Sequence, residues 1–180
     1  LFLKISKIIK RIRFFLFKFD PMKDRKLLNF ELHRITPSQY RELPSAGLTV
    51  VLDSVRSAFN VGSLFRSCDA FRVDRLILCG ICAVPPSAEI HKSALGAEDS
   101  VPWEYCGNTL DAIARLRSEG WKIVSVEQTV NSRKLGEFVP EAGEKYALVF
   151  GNEVDGVSQE AVDASDFSIE IPQWGTKHSL

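Results

Sequence analysis

Leu48-Thr49-Val50-Val51-Leu52 is apolar or β-branched at every position and does not alternate with polar residues. A strand of this kind cannot leave one face in water. It belongs in the interior of a sheet covered on both sides, which is the habit of parallel sheets. Arg75 to Cys79, Trp121 to Val126 and Tyr146 to Phe150 read the same way, and Val101 to Cys106 and Phe167 to Ile171 read as shorter strands. Helical spacing fills the intervals. Asn60 to Phe71 places Val61, Leu64, Phe65, Cys68 and Phe71 on one face, with Asn60 as the expected N-cap. Asn108 heads a second helix, with Leu110, Ile113, Ala114 and Leu116 inward and Gly120 ending it. Ser158 to Ala164 reads as a third, capped by Ser158, and Leu27 to His33 as a short one ahead of Pro37. Strands and helices alternating through short connections predict an α/β fold, with a mainly parallel sheet flanked by helices.

The length suits one domain, and there is neither an internal repeat nor a low-complexity linker. Residues 48–180 form that domain, and residues 22–47 are expected to be an N-terminal helical extension. The formal charge of zero conceals an asymmetry. Residues 1–21 hold six basic residues against one acid, so the remainder of the chain carries −5. An acidic body does not advertise nucleic-acid binding. Any RNA contact would need a local basic patch, for which Arg56, Arg66, Arg72 and Lys177 are the candidates. Charge interrupts residues 1–21 too often for a membrane span, and a signal peptide's apolar core and cleavage site are missing. A membrane-surface helix is the alternative. The preferred reading is a mis-called start, because the only methionine is Met22. The four cysteines are scattered. Cys79 and Cys82 have the spacing of a metal or redox pair but no second pair nearby, so they read as buried small residues of a reduced, cytoplasmic protein, with no metal expected.

Ligands of parallel sheets bind beyond the carboxyl ends of the strands, and three polar blocks fall there. The first, Asp53 to Arg66, is a loop of short polar residues leading into a helix N-terminus. Its Arg66 is placed to reach a phosphate or a developing oxyanion. The second, Gly151-Asn152-Glu153-Val154-Asp155-Gly156, follows directly on a buried strand, and Gly151 permits close backbone approach. It is neither a dinucleotide fingerprint nor a phosphate loop. The third, Pro172 onward, joins Pro and Gly to a Lys177-His178-Ser179 cluster. His91, before Ser93-Ala94-Leu95-Gly96-Ala97, reads as a surface histidine, with an RNA contact as the alternative.

Taken in order, these blocks resemble the SpoU (TrmH-like) family of RNA ribose 2′-O-methyltransferases, within the SPOUT class. The resemblance runs from about Leu48 to Leu180. It rests on Asn60-Val61-Gly62-Ser63-Leu64-Phe65-Arg66, on Phe150-Gly151-Asn152-Glu153 through Gly156, and on Ile171-Pro172 through Ser179-Leu180. It implies S-adenosylmethionine (SAM) as methyl donor, held by backbone groups of a C-terminal trefoil knot. Gly151, Ile171 and Leu180 would form the donor pocket with Glu127 and Gln128, and Asn60, Arg66, Glu153 and Ser179 match the family's catalytic positions. The family proposal makes the arginine a base. A guanidinium is a very poor base at neutral pH, so stabilising phosphate and alkoxide charge is the easier role for Arg66. The resemblance also implies a homodimer and an RNA substrate. No room for an added RNA-binding domain in residues 22–47 tilts the choice from rRNA toward tRNA. The family pattern continues past Leu180, so the knot is expected to be incomplete at a truncated end. The competing readings are a non-catalytic RNA-binding or ribosome-associated module, against which Arg66 and Glu153 argue, and a generic nucleotide-binding protein, against which the missing phosphate loops argue.

Overall fold

The protein is described here by a computed structural model, which covers residues 24–176. The readings of residues 1–21 and of Lys177, His178, Ser179 and Leu180 lie outside the described residues.

The described residues up to Arg34 belong to a unit separate from the rest. Its expected helix is a single 3-10 turn, Asn29–Leu32, beside an Arg25–Glu31 ion pair at 2.6 Å. Leu27, Leu28 and Phe30 are exposed there, so no buried face stabilises a longer helix.

The second unit opens with α1 (Pro37–Glu42), begun by a Thr36–Gln39 capping box and by Pro37 in the first turn. There follow β1 (Leu48–Asp53), α2 (Ala58–Ala70), β2 (Arg75–Cys79), α3 (Ala88–Ala94), α4 (Ala97–Ser100), β3 (Trp103–Cys106) and α5 (Thr109–Ser118). The chain continues through β4 (Trp121–Val126), β5 (Arg133–Lys134), β6 (Lys145–Phe150), α6 (Gln159–Asp163) and β7 (Phe167–Glu170). The seven strands lie in the order β3-β2-β1-β6-β4-β7-β5, and every pairing among them is parallel.

The apolar run Leu48 to Leu52 accounts for the layering. Along β1, Val50 and Leu52 point into a core shared with Val61 and Phe65 of α2 and Ile90 of α3. Val51, between them, points to the opposite face, against Ala112, Ile113 and Leu116 of α5 and Ala161 of α6. Burying each such large side chain contributes about 1.5–3 kcal/mol, so both faces must be covered. β5, two exposed residues at the sheet edge, carries no apolar signal and was not legible in the sequence. The α2–α3 crossing is tight. A Cβ on Gly62 would fall 2.0 Å from Ser93 Oγ and 2.4 Å from the Ile90 carbonyl oxygen. The glycine of the Asn60-Val61-Gly62-Ser63 motif is therefore a packing requirement.

Two expected caps differ. α2 begins at Ala58, with Ser57 as N-cap accepting from the Asn60 amide at 3.2 Å. Asn60 is thus inside the first turn with its side chain released from capping. Ser158 precedes α6 but donates its hydroxyl to Asp53. Asn108 caps α5 as expected, accepting from the Leu110 amide at 2.8 Å.

Candidate active site

Three segments meet beyond the carboxyl ends of β1, β4 and β6, and one carboxylate ties two of them together. Asp53, the last residue of β1, is buried. Its Oδ1 accepts from Thr109 Oγ at 2.7 Å, and its Oδ2 accepts from the Ser158 amide at 2.9 Å and the Ser158 hydroxyl at 2.6 Å. The charge leaves water for three donors, which is the condition under which a buried carboxylate is tolerated. Asp53 thereby fixes the far end of the loop that follows β6.

That loop, 151–156, is built from its own backbone. Asn152 and Gly156 form a reciprocal bridge at 3.1 Å in each direction, and Asn152 Oδ1 accepts from the amides of Val154 at 3.0 Å and Asp155 at 2.9 Å. This is an Asx turn, with Asn152 shaping the loop from within. A Cβ on Gly151 would lie 1.8–2.1 Å from the backbone of Gly156 and Val157, so only glycine fits. Glu127, just past β4, holds the same loop from the other side. One of its oxygens accepts from the Val157 amide at 3.0 Å and the other from the Gln128 amide at 2.8 Å.

The turn projects Glu153 toward α2, where Asn60 Nδ2 donates to Glu153 Oε1 at 2.8 Å. Partial desolvation pushes the Glu153 carboxyl upward. Hydrogen bonds from Asn60 and from backbone amides, including those of Ser57 and Arg56, outweigh it and hold the group below the ordinary carboxylate range. The Asn60 side chain, free because Ser57 does the capping, thus joins backbone amides, that of Glu153 itself foremost, in favouring the Glu153 carboxylate. Arg66 is exposed on α2 and makes no hydrogen bond or ion pair with Asn60, Glu153 or any other described residue. Arg56 is likewise exposed. Arg72 is spent on the Pro44 carbonyl at the opposite end of α2, so the expected basic patch is divided.

Beside the pair lies a cleft of about 230 Å³. Glu127, Gln128, Gly151 and Ile171, the four described residues expected of a donor pocket, all line it, together with Val126, Phe150, Asn152 and Gln173. Asp53 opens the first polar block expected at this site but its tethering role was not anticipated, and neither Thr109 nor the part played by Ser158 was foreseen. The one available signal was an acid closing an otherwise apolar strand. No group of three His, Cys, Asp or Glu residues able to hold a metal ion occurs among the described residues. No described helix is long and apolar enough to cross a membrane. Cys79 is buried, Cys82 Sγ lies 3.2 Å from the Val55 amide, and the four thiols are free.

A parallel α/β domain with this strand order, and with its polar apparatus and cleft gathered beyond the carboxyl ends of the central strands, has the architecture of the SpoU-type methyltransferases. The chain belongs to the SpoU rRNA Methylase family, whose model matches residues 47–180. It is 30% identical over 144 residues to a putative TrmH family tRNA/rRNA methyltransferase of Staphylococcus aureus, covering 79% of this chain and 56% of that one. The chain thus spans little more than half the length of the curated relatives it matches. Among solved structures, an AdoMet-bound rRNA methyltransferase from Sinorhizobium meliloti superposes with a TM-score of 0.69 at 28% identity, covering 82% of this chain and 55% of the other. The A. aeolicus TrmH/SpoU tRNA modifying enzyme gives 0.67 at 28% identity, covering 80% and 73%.

Proposed function

We propose that this chain transfers a methyl group from SAM to a ribose 2′-hydroxyl of RNA, with tRNA favoured over rRNA, and that it acts in the cytoplasm as a homodimer. The observation that carries the reading is the juxtaposition of the Asn60–Glu153 pair with the cleft lined by Glu127, Gln128, Gly151 and Ile171. The lining suits a ligand with a flat apolar part and polar groups: Val126, Phe150 and Ile171 offer apolar contact, and Gln128, Asn152 and Gln173 offer hydrogen bonds. Relatives with bound AdoMet support the same ligand.

SAM supplies an electrophilic methyl on a sulfonium. With SAM bound, the ribose 2′-oxygen would take the methyl group as its bond to sulfur breaks, S-adenosylhomocysteine would leave as the neutral thioether, and the hydroxyl proton would pass to water. In-line geometry then supplies much of the rate. Glu127 holds the cleft wall by engaging two backbone amides and so is committed to positioning. Asn60 orients Glu153 and helps favour its charged form beside the cleft. Arg66, exposed and without a described partner, is assigned to phosphate binding and to the charge that develops on the attacking oxygen. Ser179 and Leu180, expected to complete the catalytic set and the donor pocket, are assigned those roles by their motif positions.

The test is single-turnover methylation of total tRNA and rRNA with labelled SAM, followed by nucleoside mass spectrometry. Ribose-methylated product is expected. Arg66→Lys should retain partial RNA binding and lose most turnover. Base-methylated product, or near-full activity of Arg66→Lys, overturns the assignment.

A further inference from the structure

A second cleft is larger than the one beside Asn60 and Glu153. A cavity of about 640 Å³ opens between α3, α4 and the start of β3, walled by Pro85, Pro86, His91, Glu98 and Trp103. Its floor carries an anomaly. The Glu98 side chain is only 10% exposed; its Oε1 is paired with His91 Nδ1 at 2.5 Å, while its buried Oε2 has no partner among the described residues. Burial pushes the Glu98 carboxyl upward, but the His91 contact and backbone hydrogen bonds prevail and hold it below the usual range, so the group is an anion. An orphaned buried carboxylate oxygen is costly. Oε2 itself is closed to solvent, so an outside donor would meet this under-satisfied anion through the part of Glu98 that lines the cavity.

The walls say what kind of donor. Trp103 is held edge-on by Phe65, with ring centroids 6.4 Å apart and planes at 88°, and it stays 37% exposed. Pro85 and Pro86 add flat apolar surface to the same cavity. A fixed aromatic face beside a single deep acceptor fits a flat ring bearing an N–H donor. Single-stranded RNA is read in this way, by stacking an unpaired base on an aromatic side chain and bonding its edge. The cavity and the proposed reaction site share helix α2 as a neighbour. α3 crosses α2 at Gly62, two residues from Asn60, and His91 and Ile90 of α3 line the cavity.

We propose that this cavity receives an unpaired nucleobase of the RNA substrate, stacked on Trp103, with its exocyclic amine donating to the Glu98 carboxylate. The proposal rests on the RNA-directed reading of the chain. It predicts a choice between pyrimidines. Cytosine presents an amine to the carboxylate. Uracil presents carbonyl oxygens on either side of its N–H, which the carboxylate repels. The two rings are the same size, so the stacking contribution is nearly constant and the amine is isolated.

The experiment is fluorescence anisotropy of the full chain with labelled ten-nucleotide oligo(C) and oligo(U) at one fixed salt concentration, with SAM binding measured in parallel by calorimetry. Oligo(C) should bind about fivefold or more tightly than oligo(U), which is the low end of discrimination by one base-edge contact. Glu98→Gln should abolish most of that preference. Trp103→Leu, which keeps an apolar contact to Phe65, should weaken both oligonucleotides by a similar factor. SAM binding should be unchanged in both variants. Equal affinity for the two oligonucleotides, or a preference that survives Glu98→Gln, overturns the proposal. So does an arginine-rich peptide that binds in a Glu98-dependent manner when the oligonucleotides do not, since the cavity would then serve a protein partner. Failure of the unmutated chain to bind SAM, with its cytosine preference intact, would overturn the methyl-transfer reading and leave this one standing.

Discussion

Replacing Asp53 separates two functions that its carboxylate combines, a negative charge and a set of acceptors. Asp53 accepts from three donors, and only one of them, the Ser158 amide, has no other way to be satisfied. The hydroxyls of Thr109 and Ser158 can rotate to new partners, whereas a backbone N–H cannot. Asp53→Asn can present its carbonyl oxygen to Ser158 and its amide to Thr109, whose hydroxyl then accepts. It loses charge assistance alone, about 1 kcal/mol. Asp53→Ala orphans the Ser158 amide, which costs about 1–3 kcal/mol, and removes two further bonds of about 1 kcal/mol each. Relief from burying a charge offsets part of this, leaving a net loss of about 3 kcal/mol. With an m-value of about 2 kcal/mol/M, the urea midpoint should fall by about 1.5 M for the alanine variant and about 0.5 M for the asparagine variant. Equilibrium unfolding followed by far-UV circular dichroism, with m unchanged, reads both. Midpoints that coincide, or an alanine variant within about 0.5 M of wild type, would refute the view that the tether to Ser158 carries the energy.

Gly62→Ala drives a methyl group into Ser93 and the Ile90 carbonyl, and should cost about 2 kcal/mol or more by the same denaturation assay; a neutral result would mean the α2–α3 crossing is loose. Gly151→Ala collides with the backbone of Gly156 and Val157, and should abolish SAM binding by calorimetry while most of the secondary structure persists; retained affinity would contradict the tight loop. Glu153 titrates below its unfolded value, so its contribution to stability is present above the unfolded pKa and is lost as pH falls through the folded one. Asn60→Ala should raise the Glu153 midpoint observed by carboxyl-carbon NMR and shrink that acid-side loss, and an unmoved midpoint would refute the coupling. Burial pushes the thiols of Cys68 and Cys79 up to about 12. Both should resist a disulfide reagent at neutral pH until the protein unfolds, and prompt labelling of either would contradict their burial.

Much of the architecture was legible in the sequence because the fold repeats one simple signal. β1, β2, β4 and β6 are buried on both faces, and continuous apolar runs betray such strands. The helices that cover them show helical spacing for the same reason. Legibility failed where the controlling contact was distant or local geometry had near-equal alternatives. Ser57 and Asn60 are both good capping residues, and only the path of the chain selects Ser57. The partners of Asp53 lie at Thr109 and Ser158, so nothing local marks the aspartate as a junction. α3 and α4 are short and meet at left-handed Leu95 and Gly96, leaving too little periodicity to detect. At the site, the clustering of polar blocks beyond the strand ends was visible, and the resemblance named Glu127, Gln128, Gly151 and Ile171 as one group. The engagement of Asn60 with Glu153 emerged only in three dimensions.

The strand order has a consequence for synthesis of the chain. Leu48 of β1 pairs with Tyr146 of β6, while β2, which lies on the other side of β1, follows it closely in sequence. As the polypeptide emerges from the ribosome, β1, β2 and β3 can associate early with α2 and α3. One edge of β1, apolar on both faces, then waits with unpaired amides and carbonyls until β6 arrives. Such an edge invites pairing with another nascent chain. The same delay leaves Asn60 without Glu153 and Asp53 without Ser158, so the site assembles only when the second half of the sheet closes against the first. Slow elongation between β3 and β6 should therefore lower the yield of native protein without altering any residue of the site.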